Sequence, residues 1–476
     1  MSYTNTTLTR RQFITLSAIG AIALAAPSFA MGDHKTIVVL TNHNDDTFSL
    51  IEEAFEKSQD QYKLKFIWLM PPDASKLIKD AKENIDVWWQ AAPHNHIEDL
   101  SKKGGLQPLQ MSFDNLPSKI GETSLGDSEH LFHATQLYGM NFLINKETIK
   151  KNKLPWPSDW SVLGSAEYSG MIAITDPKKL KFGTLMIDII LQSYGWKEGW
   201  ALLSAITGNA ETVEDNLGLD VFNGRHAVGL QTDITPNGEQ RVPAGIERTY
   251  PKHGGIINAG YIGVLKNAAE SEGAQAFARF ILSEEGQKLM THTDLPRLPI
   301  RPDVYKSLDK TQYNPFSSQA AGEYVYQPKH MPISAQILQA LYASMTIDRP
   351  KLKEIWKRVH AAESSFMKKR PSTETKSAVA QARTLLESVV ISYDEALSPA
   401  LQEAFKPIKR PKEETKPALS DSNTTEIKPK NSNEIPFDQP KASRYSEAAM
   451  GYIYRWEESY HSNLAEAERK LNGAGL

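Results

Sequence analysis

Residues 36–41, TIVVLT, and the polar run behind them, Asn42-His43-Asn44-Asp45-Asp46, decide how the rest of the chain is read. A short apolar, β-branched run of strand length that stops at side chains able to cap a helix reads as a buried strand entering a helix. Phe48, Ile51 and Phe55 then recur at helical spacing. The unit repeats. Lys63–Leu69 (KLKFIWL) reads as a strand, and Ser75–Asn84 as a helix with Leu77, Ile78 and Ala81 inward. Ile85–Gln90 (IDVWWQ) reads as a third strand, and His94–Lys103 as a helix ended by Gly104-Gly105. Strands alternating with helices predict a parallel α/β sheet, whose ligands sit beyond the carboxyl ends of the strands. Asn42–Asp46 and Ala91–His96 fall on that edge.

Further along, Leu137–Asn145 (LYGMNFLIN), Met171–Thr175 and Ala227–Thr232 read as strands. Gly183–Tyr194, Lys197–Ile206, Val213–Asn223, Glu272–Leu282 and Glu284–Met290 read as helices, with Ser283 as an N-cap. Ile256–Leu265 is a longer apolar segment suited to a crossing between domains. After Pro299 the pattern is helical only: Ile333–Met345, a helix carrying Leu352, Ile355, Trp356 and Val359, and a third carrying Val379, Leu386, Val389, Val390 and Tyr393. Residues 406–442 read as a disordered linker, because prolines interleaved with Lys, Glu, Ser and Asn bury no core. In the final helix, 443–476, residues Ala449, Ile453, Trp456, Tyr460, Leu464, Ala467 and Leu471 form one apolar stripe. Such a stripe needs a partner, expected to be the chain's own helical region.

The chain has 476 residues, too many for one compact core, and no cysteine. Disulfide scaffolds, thiolate metal sites and a cysteine nucleophile are thereby excluded. A formal charge of −3 argues against a nucleic-acid partner, which selects a strong basic excess. Residues 1–30 read as a signal peptide: Arg10-Arg11, the apolar run Phe13–Ala26, and Ser28-Phe29-Ala30 with cleavage expected after Ala30. Thr9–Ile14 resembles the twin-arginine export signal, and Thr15 departs from that motif, so the general secretion route stays open. Loss of residues 1–30 takes the charge from −3 to −5.

From Leu137 onward the chain resembles the periplasmic solute-binding proteins of bacterial ABC importers, in the group for iron(III), thiamine, phosphonates and polyamines. The stretches that carry this are Leu137–Lys146 (LYGMNFLINK), Pro155–Trp160 with Tyr168-Ser169-Gly170, Ala173–Pro177 (AITDP), Gly195–Leu203 (GWKEGWALL), Gly224–Leu230 (GRHAVGL) and, most specific, Glu272–Leu289 (EGAQAFARFILSEEGQKL). Pro299–Tyr305, Tyr313–Phe316 and Trp356–Glu363 resemble a subgroup with a helical C-terminal extension, similar to the phosphoglycerate transport regulatory protein. The resemblance implies an α/β, two-lobed periplasmic-binding-protein fold (type II-like) with an appended α-helical C-terminal region. One lobe would be 31–136 with 263–300, the other 137–262, and the helical extension 301–405. It also implies a periplasmic, non-enzymatic, cofactor-free monomer that closes on a small-molecule ligand and is read by an ABC importer permease or a membrane sensor kinase.

Ligand-binding residues are expected on loops at the cleft edge. The first lobe offers Asn42, His43, Asn44, Asp45, Ala92, His94, Asn95 and His96. The second offers Lys181, Thr184, Thr232 and Asp233, with Asn258 and Tyr261 flanking the return crossing. The Lys181–Thr184 turn, opening a helix, suits an anion. Ferric-binding members carry adjacent tyrosines where this chain has Thr232-Asp233-Ile234, and it has no Tyr-Tyr pair. His43, His94, His96 and Asp233 remain a metal-ligand alternative. Trp88-Trp89 alternate faces, so one points each way, and both are expected to pack under flanking helices. No G-x-S-x-G, P-loop or G-x-G-x-x-G is present, and the S-x-x-K matches at 307–310 and 365–368 lack a K-T-G companion.

Overall fold

A computed structural model describes residues 34–406 and 445–476, apart from 44, 82, 92–94, 121–122, 175–180, 213–216, 233–242, 253–254, 256–257, 293–296, 309–312, 318–331, 367 and 369. The signal-peptide reading of 1–30 and almost all of the linker reading of 406–442 lie outside the described residues.

The chain begins with β1 (Lys35–Thr41), α1 (Asp45–Ser58), β2 (Tyr62–Trp68), α2 (Pro71–Asp80), β3 (Val87–Gln90) and α3 (Asn95–Lys102). Then follow β4 (Leu106–Gln107), a small hairpin of β5 (Lys119–Ile120) and β6 (Thr123–Ser124), and β7 (Phe132–Tyr138). β1 lies parallel between β2 and β3. Its Ile37, Val39 and Leu40 are fully buried because helices cover both faces. α2 starts earlier than its apolar spacing suggests: Pro71 sits at its first turn, Leu77 and Ile78 are half-buried, and Ala81 ends it in the left-handed region at φ 48°.

Leu137–Asn145 is not one strand. It breaks at Gly139 into β7, in the first sheet, and β8 (Met140–Asn145), in the second. The second sheet adds β9 (Ile172–Ile174), β10 (Ala210–Thr212), β11 (Val228–Thr232) and β12 (Ile246–Thr249), in the order β10-β9-β11-β8-β12. Its helices are α4 (Lys146–Asn152), α5 (Trp160–Leu163), α6 (Lys181–Tyr194), α7 (Trp196–Asn209) and α8 (Leu217–Phe222). The chain then returns through β13 (Asn258–Leu265), α9 (Ser271–Leu282) and α10 (Glu284–Leu289). β13 lies wholly in the first sheet, antiparallel to β3, β4 and β7. The first sheet therefore takes Leu137, Tyr138 and residues 258–262, which the sequence reading gave to the second lobe. The apolar run is long because it threads a sheet, not because it spans a crossing.

Each sheet has its own core. The first gathers Ile37, Phe55, Trp89 and Phe277; the second gathers Phe142, Trp160, Ile190 and Trp200. Phe277 of α9 meets Phe55 and Trp89 edge-on, at 5.2 and 5.8 Å. Burying a side chain of this size contributes about 2–3 kcal/mol.

The C-terminal helices are α11 (Ala335–Met345), α12 (Arg349–Phe366), α13 (Thr373–Glu387), α14 (Tyr393–Leu397), α15 (Pro399–Ala404) and α16 (Glu447–Gly473). They attach to the second sheet's helices. Ile337 and Leu341 of α11, Phe405, and Met450, Ile453 and Trp456 of α16 belong to the second sheet's core. Leu464, Ala467 and Leu471 join Trp356 of α12, Val379 of α13 and Ala205 of α7 in a smaller core. The stripe on α16 is buried along its whole length against the chain's own helices. The third helix ends at Glu387, so Val389, Val390 and Tyr393 are not on it. The Ser392–Glu395 capping box starts a new helix there.

Candidate functional site

The carboxyl end of β1, the end of β3, the start of β13 and the end of β7 come together at one edge of the first sheet. Asn42 ties two loops of this edge, its Oδ1 accepting the Ala91 N–H at 2.7 Å. His43 follows. Its backbone N–H donates to Thr41 Oγ1 at 3.1 Å, and its ring lies on Trp89 at 4.0 Å. The Trp89 indole is held in turn by donation to Thr135 Oγ1 at 3.2 Å. His43 is completely buried, and neither ring nitrogen has a hydrogen-bond partner among the described residues. Burial first, and then the charge of Arg297, hold its pKa well below the ordinary imidazole value. The ring is thus neutral at neutral pH, with one donor and one acceptor nitrogen.

Arg297 reaches this edge through a bridge. Leu298 pairs antiparallel with Leu137, exchanging N–H···O bonds of 2.7 and 3.2 Å, which sets Arg297 beside Tyr138 at the end of β7. Gln287 of α10 braces the arrangement: its Nε2 donates to the Thr135 carbonyl and its Oε1 accepts from the Ile300 N–H, both at 2.7 Å. Arg297 is 4% exposed and Tyr138 7%. Burial drives the Tyr138 phenol upward, and Arg297 opposes it. Gln136, two residues inside β7, is also fully buried, with no partner for either amide atom among the described residues. Each unsatisfied buried polar group costs about 1–3 kcal/mol, a cost that a ligand's own donors and acceptors would offset.

On the second sheet the facing edge carries Asn141 and Gln231, opposite each other in the β8–β11 register and 3.5 Å apart at Oδ1 and Nε2. Thr232 closes β11 and Lys181 opens α6. Tyr250, just past β12, lies 4.3 Å from Tyr313, whose neighbour Phe316 packs on the first sheet's core. This ring pair joins the two halves beside the return crossing.

The structure sorts the expected site residues. Asn42, His43 and Asn258 stand at the first sheet's edge, Asn258 directly opposite Tyr138. His96 faces α2, its Nδ1 3.2 Å from Ser75 Oγ, and is not brought to His43's surroundings. Thr184 accepts from Gln339 Nε2 of α11, so its hydroxyl serves helix packing. Tyr261 is a correction. It lies three residues inside β13, 1% exposed, with its hydroxyl donated to the Ser124 carbonyl at 2.6 Å. Asn44, Ala92, His94 and Asp233 lie outside the described residues, as do the side chains of Asp45, Asn95, Lys181 and Thr232. Among the described residues no group of three or more His, Asp or Glu stands together as a metal site. Trp88 and Trp89 are both buried in the core. Sequence reasoning missed Arg297 and Gln136. Arg297 sits in no motif, and the pairing of Leu298 with Leu137 brings it to the edge.

Residues 90–321 match the model of the bacterial extracellular solute-binding protein family. Over this stretch, somewhat under half of the chain, the chain resembles that family. It is 27% identical over 316 residues to the phosphoglycerate transport regulatory protein PgtC of Salmonella typhimurium, covering 65% of this chain and 74% of that protein. Among solved structures it resembles the spermidine/putrescine ABC transporter substrate-binding protein PotD from Streptococcus pneumoniae, with a TM-score of 0.50, 13% identity and coverage of 67% of this chain and 99% of that one. It also resembles iron-bound HitA from Pseudomonas aeruginosa, with a TM-score of 0.45, 17% identity and coverage of 68% and 99%. The two-lobed binding-protein fold implied by the sequence resemblance is the fold observed.

Proposed function

We propose that the protein is exported to the periplasm, where it holds a small anionic solute between its two sheet edges and delivers it unchanged to an ABC importer. The observation that carries this reading is the break at Gly139. One strand run serves both sheets, and the return crossing enters β13 at the same edge, the arrangement from which two lobes close by hinge bending. The match to a solute-binding family model supports binding and transport over turnover. The similarity to a phosphoglycerate transport protein supports an anion. A thermal-shift panel of phosphoglycerates, phosphonates, small carboxylates, polyamines, thiamine and divalent metals tests it, because a ligand that binds only the folded state raises its melting temperature. A rise with one anionic class is the expected result; no rise with any class would refute the binding reading.

A second reading, a sensory protein read by a membrane kinase, is favoured by one observation. The helices from 335 onward pack on the second sheet's core and on α7, and Tyr454 on α16 is 61% exposed beside the exposed Glu458 and His461. Tyr454→Ala with Glu458→Lys should then abolish signalling and leave solute affinity unchanged; intact signalling would count against it.

A further inference from the structure

We propose that His43 and Arg297 form the fixed first-lobe half of the solute site, and that this pair holds an oxyanion group, phosphate or carboxylate, on a small molecule and disfavours a metal cation there. The inference rests on the binding reading above and names the chemistry of its ligand. His43 is fully buried at the carboxyl end of β1, its ring against Trp89, with both nitrogens unpartnered among the described residues. A core imidazole with unused hydrogen-bonding capacity is costly unless something completes it. The same edge holds a buried guanidinium, fixed beside Tyr138 by the Leu137–Leu298 bridge and the Gln287 brace. Guanidinium is permanently charged and presents donors in a planar fork that matches two oxygens of a carboxylate or phosphate. A neutral imidazole adds one donor to such a group. A metal cation needs the reverse: anionic donors around it and no fixed positive charge beside it.

Burial and net charge point the same way. At −3 for the whole chain there is no global positive field, so anion selectivity must come from a local cation in a water-poor place. Arg297 is such a cation.

The test uses the full chain and three variants: His43→Phe, Arg297→Lys and Arg297→Gln. The probes are inorganic phosphate, 3-phosphoglycerate, citrate, spermidine and Zn2+, followed by titration calorimetry and melting temperature. Phe keeps the ring packing on Trp89 but asks for no hydrogen bond. His43→Phe should therefore raise the melting temperature of the ligand-free protein while weakening oxyanion binding about thirty-fold or more. A purely structural histidine would not give that opposed pair of effects. Arg297→Gln should lose oxyanion binding altogether, and Arg297→Lys should retain part of it. Unchanged oxyanion affinity in His43→Phe or Arg297→Gln would overturn the proposal. Binding of spermidine or Zn2+ alone by the wild type would overturn it and leave the binding reading standing. No binding of any probe by the folded wild type would count against both.

Discussion

The side chain that most sharply constrains the chemistry is His43. Its environment keeps it neutral when folded, whereas an unfolded chain's histidine takes a proton near its ordinary value of 6.5. Below that value the unfolded state binds the extra proton, so stability falls as pH drops. His133 and His226 are depressed in the same direction, chiefly by burial. Melting temperatures taken from about pH 8 to pH 5 should therefore decline in the wild type and decline less steeply in His43→Gln; equal slopes would place His43 elsewhere than in this buried pocket. Gly260 offers a second prediction at this scale. A methyl there would lie 2.7 Å from the carbonyl oxygens of Gln90 and Ala91, where β3 and β13 meet at the proposed ligand edge. Gly260→Ala should cost about 1–3 kcal/mol in urea unfolding and weaken solute binding with it. Asn42 and His43 were legible as edge residues because they directly follow a strand. Tyr261 was misread and Arg297 overlooked for one reason: the position of each depends on strand pairing between residues far apart in the chain.

Among the elements, α16 is the most exposed to experiment. Its stripe was legible from spacing alone, since seven apolar residues at intervals of three and four can only be one helix face. What the spacing could not say is which helices receive it. Trp456 packs flat on Phe405 at 5.5 Å, and Ala467 and Leu471 meet α12 and α13. Trp456→Ala should cost about 3–5 kcal/mol, read as a lower urea midpoint with solute affinity unchanged in the folded protein. A cost near zero would mean that α16 does not pack on the second lobe. The α7–α12 contact is equally close: a methyl at Gly208 would overlap the Trp356 ring, whose indole donates to Ser204 Oγ at 3.1 Å. The two-residue strands β4, β5 and β6 were not legible, because segments that short show no periodicity and exist through their neighbours' hydrogen bonds.

For the whole molecule, two sheets with separate cores share a strand run broken at Gly139 and a return crossing, and the C-terminal helices pack on the second sheet's core. Removing residues 407–476 would strip α16 from the second lobe's core, so such a truncation would test stability before it tested signalling. A lower melting temperature and exposed apolar surface are expected, measured by dye binding; a truncated chain as stable as the whole would contradict the packing described. Alternation of strands and helices made the α/β architecture legible, whereas the division of strands between the sheets required pairing. The facing edges are proposed to close on a small oxyanion-bearing solute. Titration calorimetry of the full chain against the phosphoglycerates, phosphonates and small carboxylates tests it most directly. One solute should bind per chain, with affinity lost in Arg297→Gln. Binding of none of them by the folded protein, or binding undiminished in that variant, would contradict it.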